Sequence, residues 1–435
     1  MSETELGLVI LAITTLVLLS GLPIAFGLTL VAVSFLVLFE GVGSLAFVAR
    51  TFMTELSNFA ILAVPMFVLL GAVIGATRAG KDIYEALHRW LSRVPGGLVI
   101  ANIGACGLFS ALSGSSPATA AAIGKVGVPE MLKRGVRPSL ATGAIAAGGT
   151  LGILIPPSVT MILYGVVTET SIGRLFMAGV VPGVLLTALF ALYAYLASLR
   201  DGRPAAAERR YDLGEKMRAT VPVLPLVGII GVIIVALYGG YATPSEIAAL
   251  SALLAFAYVA LRYGVASREG LVAVFGPTVR ESCMILLIIA AASLFSYMLS
   301  LLYVTQTAAE HLVALELNRW ALLIIVNVFL LVAGCFLPPV ALILMTMPIL
   351  QPVLLAHDFD MIWFGVMMTV NLEIGLITPP VGLNLYVLRG VAPEVPISQV
   401  LRGSMPFVLI MLAFMALLCF LPELALWLPN LMHGA

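Results

Sequence analysis

Apolar residues occur along this chain in long blocks, separated by short segments that contain charges, glycine or proline. A helix needs about 20 apolar residues to cross a bilayer, and several blocks reach that length. The first block, residues 6–39, is long enough for two spans, and Gly21-Leu22-Pro23 divides it. A third span is predicted over residues 60–76. Further apolar runs lie near residues 97–112, 117–132, 139–167, 175–198, 221–238, 244–262, 281–304, 320–354, 361–388 and 404–428.

One segment breaks this pattern, because residues 79–95 mix basic and apolar side chains. Its basic positions are Lys81, His88, Arg89 and Arg93, and tyrosine, leucine and tryptophan lie between them. A helix with a basic face and an aromatic and apolar face lies in the membrane interface, and we predict one here. No alternation of polar and apolar residues is long enough to indicate a strand. The predicted fold class is therefore an all-α integral membrane protein.

Composition agrees with this prediction. The 435 residues are 61% hydrophobic and 10% charged, whereas about 25% of the residues of a soluble domain are charged. The 22 basic and 22 acidic residues balance, and no nucleic-acid partner is predicted. Four single cysteines (Cys106, Cys283, Cys335 and Cys419) show no metal or disulfide spacing. The acidic start and the long first apolar run are unlike a cleavable signal peptide.

The distribution of basic residues predicts the orientation of the chain. If residues 97–132 and 320–354 contain re-entrant hairpins, 18 of the 22 basic residues fall on one face. The other face receives Arg50, Arg174 and Arg319, and Lys125 lies inside the first hairpin. The positive-inside rule makes the crowded face cytoplasmic. Both termini are then periplasmic, the first hairpin enters from the cytoplasm, and the second hairpin enters from outside.

A proline signature occurs twice, 223 residues apart. Gly152–Pro157 and Gly375–Pro380 each end in a Pro-Pro pair inside an apolar stretch. Helix breakers at matching places in two halves indicate inverted repeats with a transporter site built from broken helices. In lipid, the backbone groups freed at a break need protein, water or an ion as partners. The alternative is that an old gene duplication left two merely kinked helices.

The chain is therefore predicted to contain two inverted-topology repeats, each with a re-entrant hairpin and a broken helix. The predicted regions are N-terminal scaffold spans and an interfacial arm helix at 1–96, repeat 1 at 97–198, a cytoplasmic linker at 199–219, scaffold spans at 220–319, repeat 2 at 320–428 and a tail at 429–435.

The first hairpin tip carries the most chemistry. Residues 110–119 place serines, a threonine and a glycine around Pro117. Hard cations take oxygen ligands such as hydroxyls and free carbonyls, and the N-terminus of the following helix offers N–H groups to an anion. The alternative is that the small residues only let helices pack closely. The second tip, residues 334–339, has no hydroxyl, so backbone carbonyls would have to bind an ion there.

Three polar side chains lie near the second Pro-Pro pair, namely Asn371, Glu373 and Asn384. An ionisable residue inside a span is a functional candidate, and the alternative for Glu373 is a structural hydrogen bond to a neighbouring helix. The two asparagines are predicted to bind a polar solute.

Enzymatic constellations are missing from the sequence. The four histidines map to loops, the interface or the tail, and no phosphate-binding loop or nucleophile elbow occurs. A membrane-embedded enzyme that uses Ser115 or Ser116 with Glu373 is the alternative from another functional class, and the lack of a histidine base speaks against it. We therefore predict a protein that is not an enzyme and that uses an ion gradient.

Several motifs are specific when taken together. They are Ser113–Gly124, Val128–Met131 with Arg134-Gly135, Gly149–Ser158, Tyr164–Val166, Ser171–Phe176, Ala178–Gly183 and Glu373–Asn384. These motifs resemble those of the large membrane subunit of the tripartite ATP-independent periplasmic (TRAP) transporters, and the resemblance covers nearly the whole chain. It implies an elevator-type importer of organic acids in the bacterial inner membrane. The implied partners are a small four-helix membrane subunit and a periplasmic substrate-binding protein.

The resemblance also implies sodium as the coupling ion, and no other cofactor. Carried over by motif, the ion-binding positions are Ser113, Gly114, Ser115, Gly149 and Thr150 in the first half and Gly334, Leu337, Gly375, Thr378 and Val381 in the second. The predicted substrate contacts are Ser116, Pro156, Pro157, Asn371, Pro379 and Asn384.

Two positions depart from the family pattern. Many members carry an acidic residue at the second tip, where this chain has Phe336-Leu337-Pro338-Pro339. This departure favours the small dicarboxylate branch over the sialic acid branch. Lys125 also stands where a small residue is expected. A stand-alone ion-coupled transporter of organic anions, with a related inverted-repeat fold, remains the alternative function.

Overall fold

The computed structural model describes residues 2–200, 211–265, 267–307, 310 and 318–433, and within these ranges the chain is helical with no strand. The all-α prediction is confirmed. The helices of the first half are α1 (Glu3–Leu19), α2 (Ile24–Glu40), α3 (Leu45–Leu56), α4 (Ala63–Gly75), α5 (Ala79–Leu91), α6 (Gly97–Ser113), α7 (Ser116–Lys133), α8 (Pro138–Leu154), α9 (Val159–Val167) and α10 (Ile172–Arg200). Short 3-10 turns at Val42–Ser44 and Phe59–Leu62 precede α3 and α4.

The second half continues in the same way. Its helices are α11 (Leu213–Thr220), α12 (Leu224–Tyr238), α13 (Pro244–Tyr263), α14 (Arg268–Leu301), α15 (Arg319–Gly334), α16 (Pro339–Ala356), α17 (Met361–Leu376), α18 (Leu383–Val391), α19 (Ile397–Phe420) and α20 (Glu423–His433). Several of them are long and apolar enough to cross a membrane.

Local sequence explains where many of these helices begin. At α13, the Thr243 hydroxyl accepts a hydrogen bond from the Glu246 N–H, and the Glu246 carboxylate accepts one from the Thr243 N–H at 2.8 Å. This reciprocal capping box satisfies two N–H groups that a helix start leaves without partners. The helix ends before Gly264, whose φ of +70° suits glycine.

Two helices, one from each half, form the centre of the molecule. Every residue of α8 from Leu140 to Leu154 is buried, and so is every residue of α17 from Ile362 to Leu376. A helix that is apolar on all sides belongs in the interior. Small residues let neighbours approach α8, because a Cβ at Gly143 would collide with the backbone of Gly403 in α19.

Both central helices stop at the predicted breaks. The axes of α8 and α9 differ by 41° across the break that contains Pro156 and Pro157. In the second half, α17 ends at Leu376 and α18 begins at Leu383, and Pro379 and Pro380 lie between them. The Pro156–Pro157 and Pro379–Pro380 peptide bonds are both cis. The predicted interruption of each helix is therefore confirmed.

Some predicted boundaries were wrong. Helix α3 was not predicted, because Arg50 and Glu55 interrupt its apolar residues and none of its side chains is buried. Helix α14 begins at Arg268 rather than near residue 281, since charged residues in its first turns hid its start. Leu421 and Pro422 separate α20 from α19, where the sequence suggested one span.

The predicted linker is only partly described. Its residues 201–210 lie outside the described residues, while α11 occupies much of the remainder. Helix α11 packs against the amphipathic helix α5. There, the Arg89 guanidinium donates to the Glu215 carbonyl at 3.0 Å, and the Trp90 indole donates to the Thr220 hydroxyl at 3.0 Å.

Candidate functional site

The first hairpin tip is a tight turn between α6 and α7. Gly114 reverses the chain with φ of +59°, and its N–H donates to the Ser110 carbonyl at 2.8 Å. Glycine adopts this conformation without the steric cost that a side chain adds. The Thr119 hydroxyl donates to the Ser115 carbonyl at 2.9 Å and lies 3.0 Å from the Ser113 hydroxyl. The tip therefore concentrates hydroxyl and carbonyl oxygens, as predicted from its sequence.

This tip packs against the first broken helix. A Cβ at Gly152 would lie 3.2 Å from the Ser115 carbonyl oxygen, and one at Gly149 would lie 3.0 Å from that of Ser116. On the other side, a Cβ at Gly114 would lie 3.0 Å from the Pro157 carbonyl oxygen. Gly149 therefore lies against Ser116 and Gly152 lies against Ser115, and glycine permits the close approach.

Thr150 has a different setting from the other predicted ion positions of the first half. Its hydroxyl donates to the Ala147 carbonyl at 2.6 Å and lies 3.9 Å from the sulfur of Met411 in α19. The Thr150 side chain therefore contacts α19. Its role in ion binding stays a prediction.

The predicted ion positions of the second half also lie close together in part. A Cβ at Gly375 would lie 2.5 Å from the Gly334 carbonyl oxygen, so α17 and the end of α15 touch through glycine. The Thr378 hydroxyl donates to the Ile374 carbonyl at 2.6 Å. Leu337 is half-buried at the tip, and the Val381 side chain is 39% exposed.

A buried polar cluster joins the two halves, and sequence reasoning did not foresee it. The Ser116 hydroxyl donates to Glu373 Oε2 at 2.9 Å, and Asn384 Nδ2 donates to the Ser116 oxygen at 2.8 Å. Ser116 begins α7 of the first hairpin, whereas Glu373 and Asn384 lie on either side of the second break. Within the described residues, Glu373 Oε1 and Asn384 Oδ1 are buried without a hydrogen-bond partner.

The cluster explains why these residue types occur in an apolar region. A buried polar group needs a hydrogen-bond partner, and a buried carboxyl group needs one most. The hydroxyl of Ser116 serves as both donor and acceptor. It thereby fixes the first hairpin to the second broken helix. Sequence reasoning singled out all three residues, but the contact that joins residues 116 and 373 spans most of the chain.

Asn371 is engaged elsewhere. Its Nδ2 donates to the Asn327 carbonyl at 2.9 Å and to Asn327 Oδ1 at 3.0 Å, and it is fully buried between α17 and α15. Asn327 was not among the predicted site residues. A polar amide inside the apolar run 320–354 is the sequence signal that could have identified it.

A cavity of about 500 Å³ opens between the two hairpin tips and two other helices. Residues 113–118, Pro338–Val340, α4 and α14 contribute to its lining. Glu281 of α14 is the one ionisable side chain among the residues that line it. Ligand pockets for small molecules have volumes of about 300–1,000 Å³, so a small solute fits this central cavity.

Some of the predicted site residues line the central cavity, and others do not. Ser113, Gly114, Ser115 and Ser116 line it. Pro156 and Pro157 are buried, and Pro379 is exposed. None of these three prolines lines the cavity. Most of the residues that line the cavity are apolar, and its polar groups are the hydroxyls and backbone groups of the first tip, Thr160 and the Glu281 carboxyl group.

The family of the chain follows from its match to a family model. The model, described as the DctM component of tripartite ATP-independent periplasmic transporters, matches residues 11–424. The chain belongs to the DctM family. A C4-dicarboxylate TRAP transporter large permease protein of Pseudomonas aeruginosa is 37% identical over 86% of this chain and 87% of its own length. A sialic acid TRAP transporter large permease protein of Vibrio cholerae is 33% identical over 96% of this chain and 97% of its own length.

Solved structures agree at the level of the fold. The structure of the Alcanivorax borkumensis YdaH transporter superposes with a TM-score of 0.64 and covers 89% of both chains, at 16% sequence identity. DctM relatives named for isethionate and ectoine transport match as well. These relatives are named as transporter permeases rather than enzymes, which confirms the prediction that the chain is not an enzyme. Their names cover several substrates, so membership of the family does not determine the substrate.

Proposed function

We propose that this DctM-family chain is the large permease subunit of a sodium-coupled secondary transporter that imports small organic acids. Its solute would occupy the central cavity between the two hairpin tips. The observation that carries the proposal is that oxygen-rich residues 113–116 and the second tip face one cavity of suitable size. A C4-dicarboxylate is the first substrate to test, because the P. aeruginosa relative is named for this class.

Sodium coupling is supported by the ligand chemistry of the two breaks. Sodium is a hard cation that takes oxygen ligands, and each half places glycines and a hydroxyl beside carbonyl groups at its break. We propose that the ten ion positions carried over by motif form one sodium site in each half. The substrate would be bound by Ser116 and the neighbouring tip residues, and Asn384 would act through its hydrogen bond to Ser116.

The transport motion is proposed to be of the elevator type. The hairpins and broken helices would move as one unit against a scaffold that contains α4 and α14, because the central cavity lies between these two groups of helices. The chain would lie in the bacterial inner membrane with both termini periplasmic. A small four-helix subunit would brace it in the lipid bilayer, and a periplasmic binding protein would deliver the substrate.

Reconstitution into liposomes tests this proposal. We expect uptake of labelled succinate only when the chain, the small subunit and the binding protein are present and sodium is higher outside. Sialic acid, ectoine and isethionate serve as competing solutes, each with its matched binding protein. Strong uptake by the chain alone would instead support the stand-alone transporter. Full uptake in a proton gradient without sodium would refute sodium coupling.

A further inference from the structure

A second cavity adjoins the central cavity and has a different charge. Its volume is about 450 Å³, and α4, the start of α5, α6 and α7 surround it. Gly71, Gly75 and Ala118 line both cavities, so the two are neighbours across α4 and the start of α7. The two cavities therefore share part of their walls.

Three cationic side chains line the second cavity, and no carboxylate does. They are Arg78, Lys81 and Lys125, and all three are exposed. Lys81 lies 3.7 Å from Glu85. Within the described part of the chain, Arg78 and Lys125 have neither an ion pair nor a hydrogen bond from their side chains. We call this cavity the basic cavity.

The contrast with the central cavity indicates what the basic cavity attracts. A concave surface lined by charges of one sign concentrates ions of the opposite sign, and the effect weakens as salt screens it. The central cavity has one carboxyl group and no cation. The three cations of the basic cavity therefore lie beside the cavity proposed to hold an organic anion.

We propose that the basic cavity is a binding site for the carboxylate substrate on its path between the central cavity and the face that carries α5. By the positive-inside rule this is the cytoplasmic face, so the site acts at substrate release. The proposal gives a role to Lys125, which stands where a small residue is expected. This inference rests on the proposed function, because it takes the substrate to be an organic anion.

An anionic lipid headgroup could supply the same chemistry, so the test must separate the two sources. Ala122 lines the basic cavity and is partly exposed. An Ala122→Cys variant, with the four native cysteines changed to alanine, places a reporter thiol among the cations. Its rates of reaction with an anionic and a cationic methanethiosulfonate reagent measure the local potential without any need for transport.

We expect the anionic reagent to be favoured, and its advantage to fall about three- to tenfold when Arg78 and Lys125 are changed to glutamine. Raising the salt concentration should also reduce the advantage of the anionic reagent. Succinate should protect the thiol in the parent and not in the glutamine variant. Lys133→Gln is the matched control, because Lys133 is exposed on the same helix, pairs with Glu130 and does not line the cavity.

The outcomes separate the possibilities. An advantage that persists in phosphatidylcholine liposomes supports a site for the organic anion, whereas one that needs phosphatidylglycerol overturns it in favour of lipid. Equal reagent rates, or no protection by succinate, also overturn it. In the complete reconstituted system, Lys125→Gln should slow succinate uptake severalfold and Lys133→Gln should not. If the complete system with the parent chain shows no uptake at all, the proposed function is refuted. If the parent chain transports succinate and Lys125→Gln transports it equally fast, only the proposed role of the basic cavity is refuted.

Discussion

The two hairpin tips have related positions and opposite chemistry. The first tip places serine and threonine hydroxyls around Gly114, and Ser116 extends its hydrogen bonds into the second half. At the second tip, the Cys335 thiol donates to the Leu331 carbonyl of α15, and Phe336 is 57% exposed. Both tips nevertheless face one cavity. The two turns differ in length, because Gly114 and Ser115 form the first and residues 335–338 form the second. Hydroxyl groups lie at the first tip, and residues 335–338 carry none.

This contrast suggests that backbone fit matters most in the second half. A Cβ at Gly375 would lie 2.5 Å from the Gly334 carbonyl oxygen and 2.6 Å from its carbon, and backbone atoms cannot move aside like a flexible side chain. At Gly152 the nearest atoms would be Ser110 Cβ at 3.0 Å and the Ser115 oxygen at 3.2 Å. The two glycines occupy corresponding places before the two Pro-Pro pairs.

Gly375→Ala should therefore have the largest effect of any single substitution at the two tips and breaks. Overpacking destabilises by about 1–3 kcal/mol, and the forced shift of the second tip should reduce uptake more than tenfold. Gly152→Ala should reduce uptake less. Thermal unfolding in detergent and initial uptake rates measure both effects. Gly390→Ala is the control, since a Cβ there meets open space. Equal effects of Gly375→Ala and Gly390→Ala would contradict the proposed dependence on backbone contact.

Side-chain chemistry should matter most in the first half. Ser116→Ala removes a donor to Glu373 and an acceptor for Asn384. Leaving buried polar groups without partners costs about 1–3 kcal/mol. We expect a lower unfolding temperature and weaker uptake. Cys335→Ala at the second tip removes only a weak sulfur donor and should change the unfolding temperature little. Similar unfolding temperatures for Ser116→Ala and Cys335→Ala would contradict the proposed difference between the two tips.

The sequence predicted the helical fold and the places of its breaks, because long apolar runs and proline pairs are local signals. It also predicted the hairpin turn at Gly114. It did not predict the bond between Ser116 and Glu373, because that contact joins distant residues and depends on how the halves pack. The amphipathic α3 escaped notice for another reason, since charged residues within it mask an apolar run. The basic cavity was likewise not predicted, because its three cations line one cavity only when α4, α5 and α7 are packed together.

The smallest expected effect distinguishes the two threonines at the breaks. Each hydroxyl donates at 2.6 Å to a carbonyl three or four residues before it, which leaves oxygen lone pairs to bind a cation. Thr378 is half-buried beside its break, whereas Thr150 is 1% exposed and turned towards Met411. Replacing either residue by valine keeps the shape and removes the oxygen.

Thr378→Val should raise the sodium concentration for half-maximal uptake about tenfold, which corresponds to about 1.4 kcal/mol. Thr150→Val should change it about twofold or less, because its hydroxyl already contacts the Met411 sulfur of α19. Sodium activation curves of the complete reconstituted system, at matched protein abundance, measure both values. Equal shifts would mean that Thr150 reorients to bind sodium and that the halves use their threonines alike. An unchanged sodium activation curve for Thr378→Val would mean that the Thr378 hydroxyl does not bind sodium. Backbone carbonyls alone would then form the sodium site of the second half.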